Sequence, residues 1–187
     1  MKRLMFVLAA CMMVLVACKE KKNVNEGIIT TDYELPKPSE APVKMPAKTD
    51  RTEVEWKDGQ RYQIAIARTP ADSLSKVTDE IGQQYVDNIV KVTVTRSDGS
   101  VFFHRSFAKS AFVEWLEEDY RLHSVLEDIT FFGIENQELV FTAILNLPAA
   151  SDDEAIDLRV SLNGQGQVNI GHYDDNQRDD LKVSDEE

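Results

Sequence analysis

The stretch that decides the fold is IVKVTVTRSDGSVFFHRSF, residues 89–107. Apolar and polar residues alternate over 90–94, which is typical of a strand with one buried face. Asp98-Gly99 follows, and glycine adopts the positive φ that a tight hairpin turn needs. Residues 101–107 then return as a second strand. The stretch therefore predicts an antiparallel hairpin with one apolar face.

The same pattern of strand, turn and strand recurs along the chain. A turn at residues 56–60 precedes a strand at 61–68, and two further hairpins occupy residues 129–147 and 156–172 with turn residues between their strands. One apolar face per strand implies one shared core. The sequence thus predicts a mainly β (α+β) domain over residues 52–173, as an antiparallel meander sheet or a partly closed barrel of about seven or eight strands.

The segment between the second and third hairpins has helical spacing instead. Apolar residues recur at i, i+3, i+4 and i+8 from Phe112, and Ser110 is a suitable N-cap. This predicts one covering α-helix near residues 110–122. Thr-Pro-Ala-Asp at residues 69–72 has the composition of a second, shorter helix start.

The N-terminus has the features of a secretory signal. Lys2 and Arg3 precede an unbroken apolar run over residues 4–17, which is shorter than the roughly 20 residues that a transmembrane helix needs. Leu-Val-Ala-Cys at residues 15–18 resembles the bacterial lipobox. That resemblance implies a signal peptide over residues 1–17 and lipid attachment at Cys18. The alternatives are a signal peptide without lipidation, or a buried helix that ends by chance in a cysteine.

Two polar segments flank the predicted domain. Residues 18–51 contain four of the six prolines, which favours an extended, disordered tether. The alternative is that this strip packs along the surface of the domain. Residues 174–187 are strongly acidic and predict a disordered C-terminal tail.

Charge and cysteine content exclude two classes of protein. The chain has 21 Lys and Arg against 33 Asp and Glu, a formal charge of −12, so it lacks the basic surface that nucleic acid binding requires. It has two cysteines, and Cys11 lies in the apolar leader. A disulfide framework is therefore excluded.

No motif for catalysis, cofactor binding or metal binding is present. His104, His123 and His172 are isolated and lack the spacing of metal ligands. Gly-Gln-Gly at residues 164–166 is interpreted as a turn, because it lacks the third glycine and the helix of a dinucleotide site. The sequence thus predicts no catalytic, cofactor-binding or metal-binding residues.

Acidic clusters leave two weaker hypotheses open. Acids at 114–119 and near the early strand at 53–55 allow a carboxylate-dependent hydrolase, although such residues are more often a solvated face. Acids at 152–154 and 174–180 have oxygen ligands for a hard cation, but they do not match the EF-hand loop.

Three further stretches carry a family resemblance. Residues 59–62, 79–88 and 98–109 together resemble a family of small Bacteroidetes lipoproteins described as domain of unknown function 4738. The resemblance covers roughly residues 53–173. It implies lipidation and an envelope location, and it supplies no catalytic residues.

These observations predict an envelope lipoprotein with a non-enzymatic binding or interaction domain. Acylated Cys18 would hold it to a lipid bilayer, expected to be the outer membrane, with the domain periplasmic or surface-exposed. The expected partner is an envelope protein or a glycan, with no cofactor. One alternative is a carrier of small apolar ligands with a lipocalin-like cavity above about 300 Å³ between the strands; the other is the hydrolase.

Overall fold

Residues 37–57 and 59–173 are described by a computed structural model of the chain. Within them the chain forms ten β-strands, one α-helix and three 3-10 turns. The strands are β1 (Lys48–Trp56), β2 (Gln60–Pro70), β3 (Val77–Thr78), β4 (Gln84–Tyr85), β5 (Asn88–Arg96), β6 (Val101–Phe107), β7 (Val125–Glu135), β8 (Glu138–Asn146), β9 (Ile156–Leu162) and β10 (Val168–His172). The helix is α1 (Glu118–His123), and the 3-10 turns are Lys109–Ala111, Val113–Trp115 and Asp152–Glu154.

Eight of these strands form two four-stranded antiparallel sheets. The first sheet has the order β1-β2-β5-β6, and the second has the order β10-β9-β8-β7. β3 and β4 make a separate small hairpin between β2 and β5. The predicted mainly β fold of antiparallel meanders is confirmed, and the described strands do not close into a barrel.

The two large sheets share one hydrophobic core. The predicted inward faces are confirmed: Val90, Val92 and Val94 of β5 are at most 2% exposed, and β8 contributes the buried Phe141. Burying each such side chain stabilises the fold by about 1.5–3 kcal/mol. The free space beside Phe107 and its neighbours is only ≈ 10 Å³, and a second space of ≈ 200 Å³ lies between β1, β2 and β7, beside Ile64 and Phe131.

The predicted helix over residues 110–122 is broken in the structure. Ser110 lies inside a 3-10 turn, Leu116 has an extended backbone, and α1 has only six residues. Isolated short helices with aromatic and β-branched residues are marginal. Here the break lets Phe112 become fully buried and stack on Phe107, with the ring centroids 6.0 Å apart.

Among the described residues no helix is long and apolar enough to cross a membrane.

The helix start predicted at residues 69–72 is wrong. Thr69 and Pro70 continue β2, paired with Ile89 and Asn88 of β5. Ala71 then donates its backbone N–H to the Asp87 carbonyl at 2.9 Å. The ladder of β5 therefore overrides the local helix signal.

The strip before β1 lies against the domain. β1 begins at Lys48, inside the segment 18–51 for which the sequence predicts a disordered tether. Val43 forms a parallel bridge with Tyr85, with backbone hydrogen bonds of 2.8 Å to Gln84 and 2.9 Å from Val86. The alternative of a packed strip thus describes the part of the segment from residue 37 onward. Residues 18–36, the leader and the tail 174–187 lie outside the described residues.

Candidate functional site

A buried polar seam joins the two sheets. Asp87 and Asn88 stand at the start of β5, and both bond to the backbone of Leu126 in β7: its N–H donates to Asp87 Oδ1 at 2.9 Å, and its carbonyl accepts from Asn88 Nδ2 at 2.9 Å. The register of β7 shifts between Leu126 and Asp128, so the backbone there is not fully paired within the sheet. The pair therefore stabilises a bulge that would otherwise leave buried polar groups unpaired.

Arg68 extends this seam from β2. Its Nη1 donates to the carbonyl of Glu127, the extra residue of the bulge, at 2.9 Å. The same Nη1 lies 3.6 Å from Asp128 Oδ2, and both side chains are about nine-tenths buried. Lys48 also reaches Asp128, at 3.2 Å, and the acidic neighbours Asp50 and Asp128 raise the pKa of Lys48. The charge of Asp128 is thereby balanced by two cations, Arg68 and Lys48.

Two titratable groups in this region have pKa values shifted by burial. Burial raises the pKa of Asp87, although the backbone amides of Leu126 and Asn88 and the charge of Lys109 act in the opposite direction. Burial lowers the pKa of Lys109, against the attraction of Asp87. Lys109 donates to the carbonyl of Ser124 at 2.6 Å, which fixes the turn after α1. These bonds make the seam a structural element.

A large cleft opens at the surface of the domain. It has a volume of ≈ 470 Å³ and is lined by residues 78–81 before β4, by Asp119 and His123 of α1, and by the loop 147–150 after β8. Asp79 shapes one wall, because its carboxylate accepts the backbone N–H groups of Ile81 and Gln83. The cleft combines acidic side chains with an apolar loop.

A small cleft shares the same loop. It has a volume of ≈ 180 Å³, and residues 147–150 line it together with Val43 and Met45 of the N-terminal strip, Val125, Asn146 and the neighbours of β4. Asn146 is 4% exposed, and its Oδ1 has no hydrogen-bond partner. The small cleft is thus mainly apolar, and its lining also contains Glu127, Asp152 and one unpaired acceptor.

The loop between the clefts has an unfavourable backbone conformation. The Ala150 N–H donates to the Leu147 carbonyl at 3.1 Å, with Pro148 and Ala149 between them. Ala149 has a φ of 63°, in the left-handed region that favours glycine. Strain of this kind is common where a surface binds or acts, so it adds weight to the clefts as a candidate site.

The candidate residues of the sequence lie apart from one another in the fold. His104 of β6 bonds to Thr93, His172 is exposed on β10, and His123 faces the large cleft 3.9 Å from Asp119. The acids of Asp152–Glu154 lie in a 3-10 turn whose N-cap residue is Ser151. No group of three or more His, Cys, Asp or Glu among the described residues is placed to hold a metal ion. Cys18 lies outside the described residues.

The hydrolase hypothesis predicts two acids in one cleft with shifted pKa values. The buried acid whose pKa is raised, Asp87, lines neither cleft and bonds to backbone amides. Asp79, Glu80 and Asp119 do line the large cleft. Sequence reasoning missed this grouping of acids, because the grouping depends on the β3–β4 hairpin. Gly82, which has a φ of 87°, is the residue whose presence in the sequence could have indicated the turn of that hairpin.

Comparison with known proteins gives one family and no curated relative. A family model described as "Domain of unknown function (DUF4738)" matches residues 28–170. No curated protein matches the chain. The match includes the N-terminal strip, the β3–β4 hairpin, α1 and the loop 147–150, and so every element that lines the two clefts. The chain therefore belongs to the DUF4738 family.

Proposed function

We propose that this chain is a lipoprotein of the bacterial cell envelope whose folded domain is a non-enzymatic interaction module. The signal-like leader and Cys18 support the anchor, because Leu-Val-Ala-Cys at residues 15–18 resembles the lipobox, in which the cysteine is the residue that is lipidated. Two or three acyl chains would hold the protein stably to a bilayer, proposed to be the outer membrane. The acidic chain itself would be repelled by anionic lipid.

The observation that carries the binding role is where free space lies in the described domain. The space in the core beside Phe107 is ≈ 10 Å³ and the space between β1, β2 and β7 is ≈ 200 Å³, both below the ≈ 300–1,000 Å³ of small-molecule sites. This interior argues against the lipocalin-like carrier. The large cleft, by contrast, offers ≈ 470 Å³ at the surface. A module that binds a partner on its outside fits this distribution.

The anchor is tested by labelling cells with palmitate and by fractionating their membranes. The unaltered protein should take up the label and sediment with membranes, whereas Cys18→Ala should lose the label and appear in the soluble fraction. Retention of Cys18→Ala in the membrane fraction would reject the lipoprotein proposal.

The binding surface is tested by photo-crosslinking in cells. Benzoylphenylalanine replaces Ile81, which is 37% exposed in the large cleft, or Val101, which is 58% exposed at the start of β6. The proposal expects a discrete adduct from position 81, identified by mass spectrometry, and none from position 101. Equal adducts at both positions, or none at either, would contradict an interaction module centred on the clefts.

A further inference from the structure

We infer that the large and small clefts together bind an extended peptide segment of a partner protein, in which an apolar residue and a lysine or arginine stand two positions apart. This inference rests on the proposed function, because it names the class of partner for the same surface. The two clefts share residues 147–150, so one ligand can occupy both. Alternate residues of an extended peptide are about 6.6 Å apart, which suits adjacent clefts.

The charge of the two linings selects the basic residue. The linings contain no lysine or arginine and one histidine, His123. Clefts lined by one sign of charge concentrate the opposite sign, and complementary charge sets both specificity and association rate. The acids concerned are Asp79, Glu80 and Asp119 in the large cleft and Glu127 and Asp152 in the small one.

The small cleft selects the apolar side chain. Its ≈ 180 Å³ is close to the roughly 150 Å³ of an apolar cavity that accepts benzene, so it fits one large side chain. Asn146 Oδ1 is buried without a partner, and an unpaired buried acceptor is costly. Because this oxygen has almost no accessible surface, it does not itself contact the peptide, and the apolar lining of the small cleft carries the selection.

The lining favours a peptide over a glycan. Sugar rings are commonly held on exposed aromatic faces, and Tyr85 is the one aromatic residue in the two linings. Its hydroxyl is engaged, because it donates to Asp79 Oδ2 at 3.1 Å. The other apolar residues in the linings have aliphatic side chains, among them the half-exposed Val43 and Ile81. Aliphatic walls with acidic residues beside them suit an apolar side chain that lies close to a lysine or arginine.

The test uses the full lipidated protein in nanodiscs of phosphatidylcholine, with empty nanodiscs as the blank. Fluorescence anisotropy measures binding of a labelled nonapeptide in which leucine and lysine alternate at the odd positions and glycine fills the even positions, so that one face of the extended chain carries both. Two matched peptides carry glutamate in place of lysine, or serine in place of leucine. The lysine–leucine peptide should bind. The serine peptide should bind at least tenfold more weakly, since burying one large apolar side chain is worth that factor or more.

Matched variants locate the binding. Asp119→Lys should weaken binding about fivefold or more, whereas Glu118→Lys, the same change of charge one position away on α1 and outside both linings, should change it less than twofold. Ala150→Leu should fill the shared loop region and weaken binding at least tenfold. Ala67→Leu, on the half-exposed Ala67 of β2, should leave binding unchanged.

Each alternative outcome has a defined meaning. Equal binding of the glutamate and lysine peptides, or equal effects of Asp119→Lys and Glu118→Lys, overturns the cationic partner. Absence of binding by all three peptides overturns the peptide class, and so does binding of an N-acetylglucosamine trimer that Ala150→Leu abolishes. Those results leave the anchor and the crosslink from position 81 intact, so the two proposals fail separately.

Discussion

Replacing Asn88 by alanine tests how much the polar seam contributes to stability. Asn88 is 0% exposed, and its Nδ2 is the donor to the Leu126 carbonyl at 2.9 Å. Alanine removes that donor, and the carbonyl belongs to the fully buried Leu126 at the bulge of β7. Alanine also removes the hydrogen bond of 3.3 Å from Nδ2 to the Met45 sulfur of the N-terminal strip.

The magnitude combines two unfavourable changes with one favourable change. A buried carbonyl left unpaired costs about 1–3 kcal/mol, and the small void adds about 1 kcal/mol. Asn88 Oδ1 has no partner in the native fold, so its removal returns part of its own desolvation cost. The free energy of unfolding should therefore fall by about 2 kcal/mol. That is a large fraction of the roughly 5–15 kcal/mol typical of a domain.

Urea denaturation followed by circular dichroism measures this change as a lower midpoint at unchanged slope. The matched control is Asn169→Ala, because Asn169 is exposed in β10 and its replacement should cost less than about 0.5 kcal/mol. Equal midpoints for the two variants would show that the seam does not hold the sheets together as described.

Three further predictions concern other positions. Ala149→Gly should raise the free energy of unfolding by about 1 kcal/mol, since glycine relieves the φ of 63°, and a lower melting temperature would contradict the strain. Folding raises the pKa of Asp87 above its ordinary value of 3.8, so Asp87 holds its proton more tightly in the folded than in the unfolded chain. Its contribution to stability therefore falls as pH rises from about 4 through the folded pKa. Calorimetry over that range should show Asp87→Asn gaining stability relative to the unaltered protein as pH rises. Trp56→Phe removes the 2.8 Å bond from the indole N–H to the Gln137 carbonyl and should lower stability by about 2 kcal/mol in urea; a decrease below about 0.5 kcal/mol would show that this bond contributes little.

The strands were predictable because each obeys a local rule. Alternation over 90–94 sets which face of β5 is buried, and Gly99, at a φ of 83°, closes the hairpin as its type requires. Such signals depend only on neighbours in the chain, so the sequence alone is sufficient for them. The same holds for the inward faces of β8 and β9.

The helix and the clefts depend on contacts distant in sequence and were less predictable. The spacing around Phe112 is truly helical, but its burial against Phe107 and the bond from Arg121 to the Leu116 carbonyl favour a broken segment. Likewise Asp79 and Asp119 lie forty residues apart, and only the packing of the β3–β4 hairpin near α1 brings both to one cleft. No periodicity in one chain encodes that proximity.

The docked strip at residues 37–47 also determines how a pull on the N-terminus would enter the fold. The strip contacts the β3–β4 hairpin before it reaches β1: Gln83 accepts from Ser39, and Gln84 and Val86 pair with Val43. Mechanical load from a membrane anchor would therefore pass first into the hairpin that forms one wall of the large cleft. Tension applied at the N-terminal end of the strip would therefore act on the hairpin, and so on the proposed binding surface, before it reached the two large sheets.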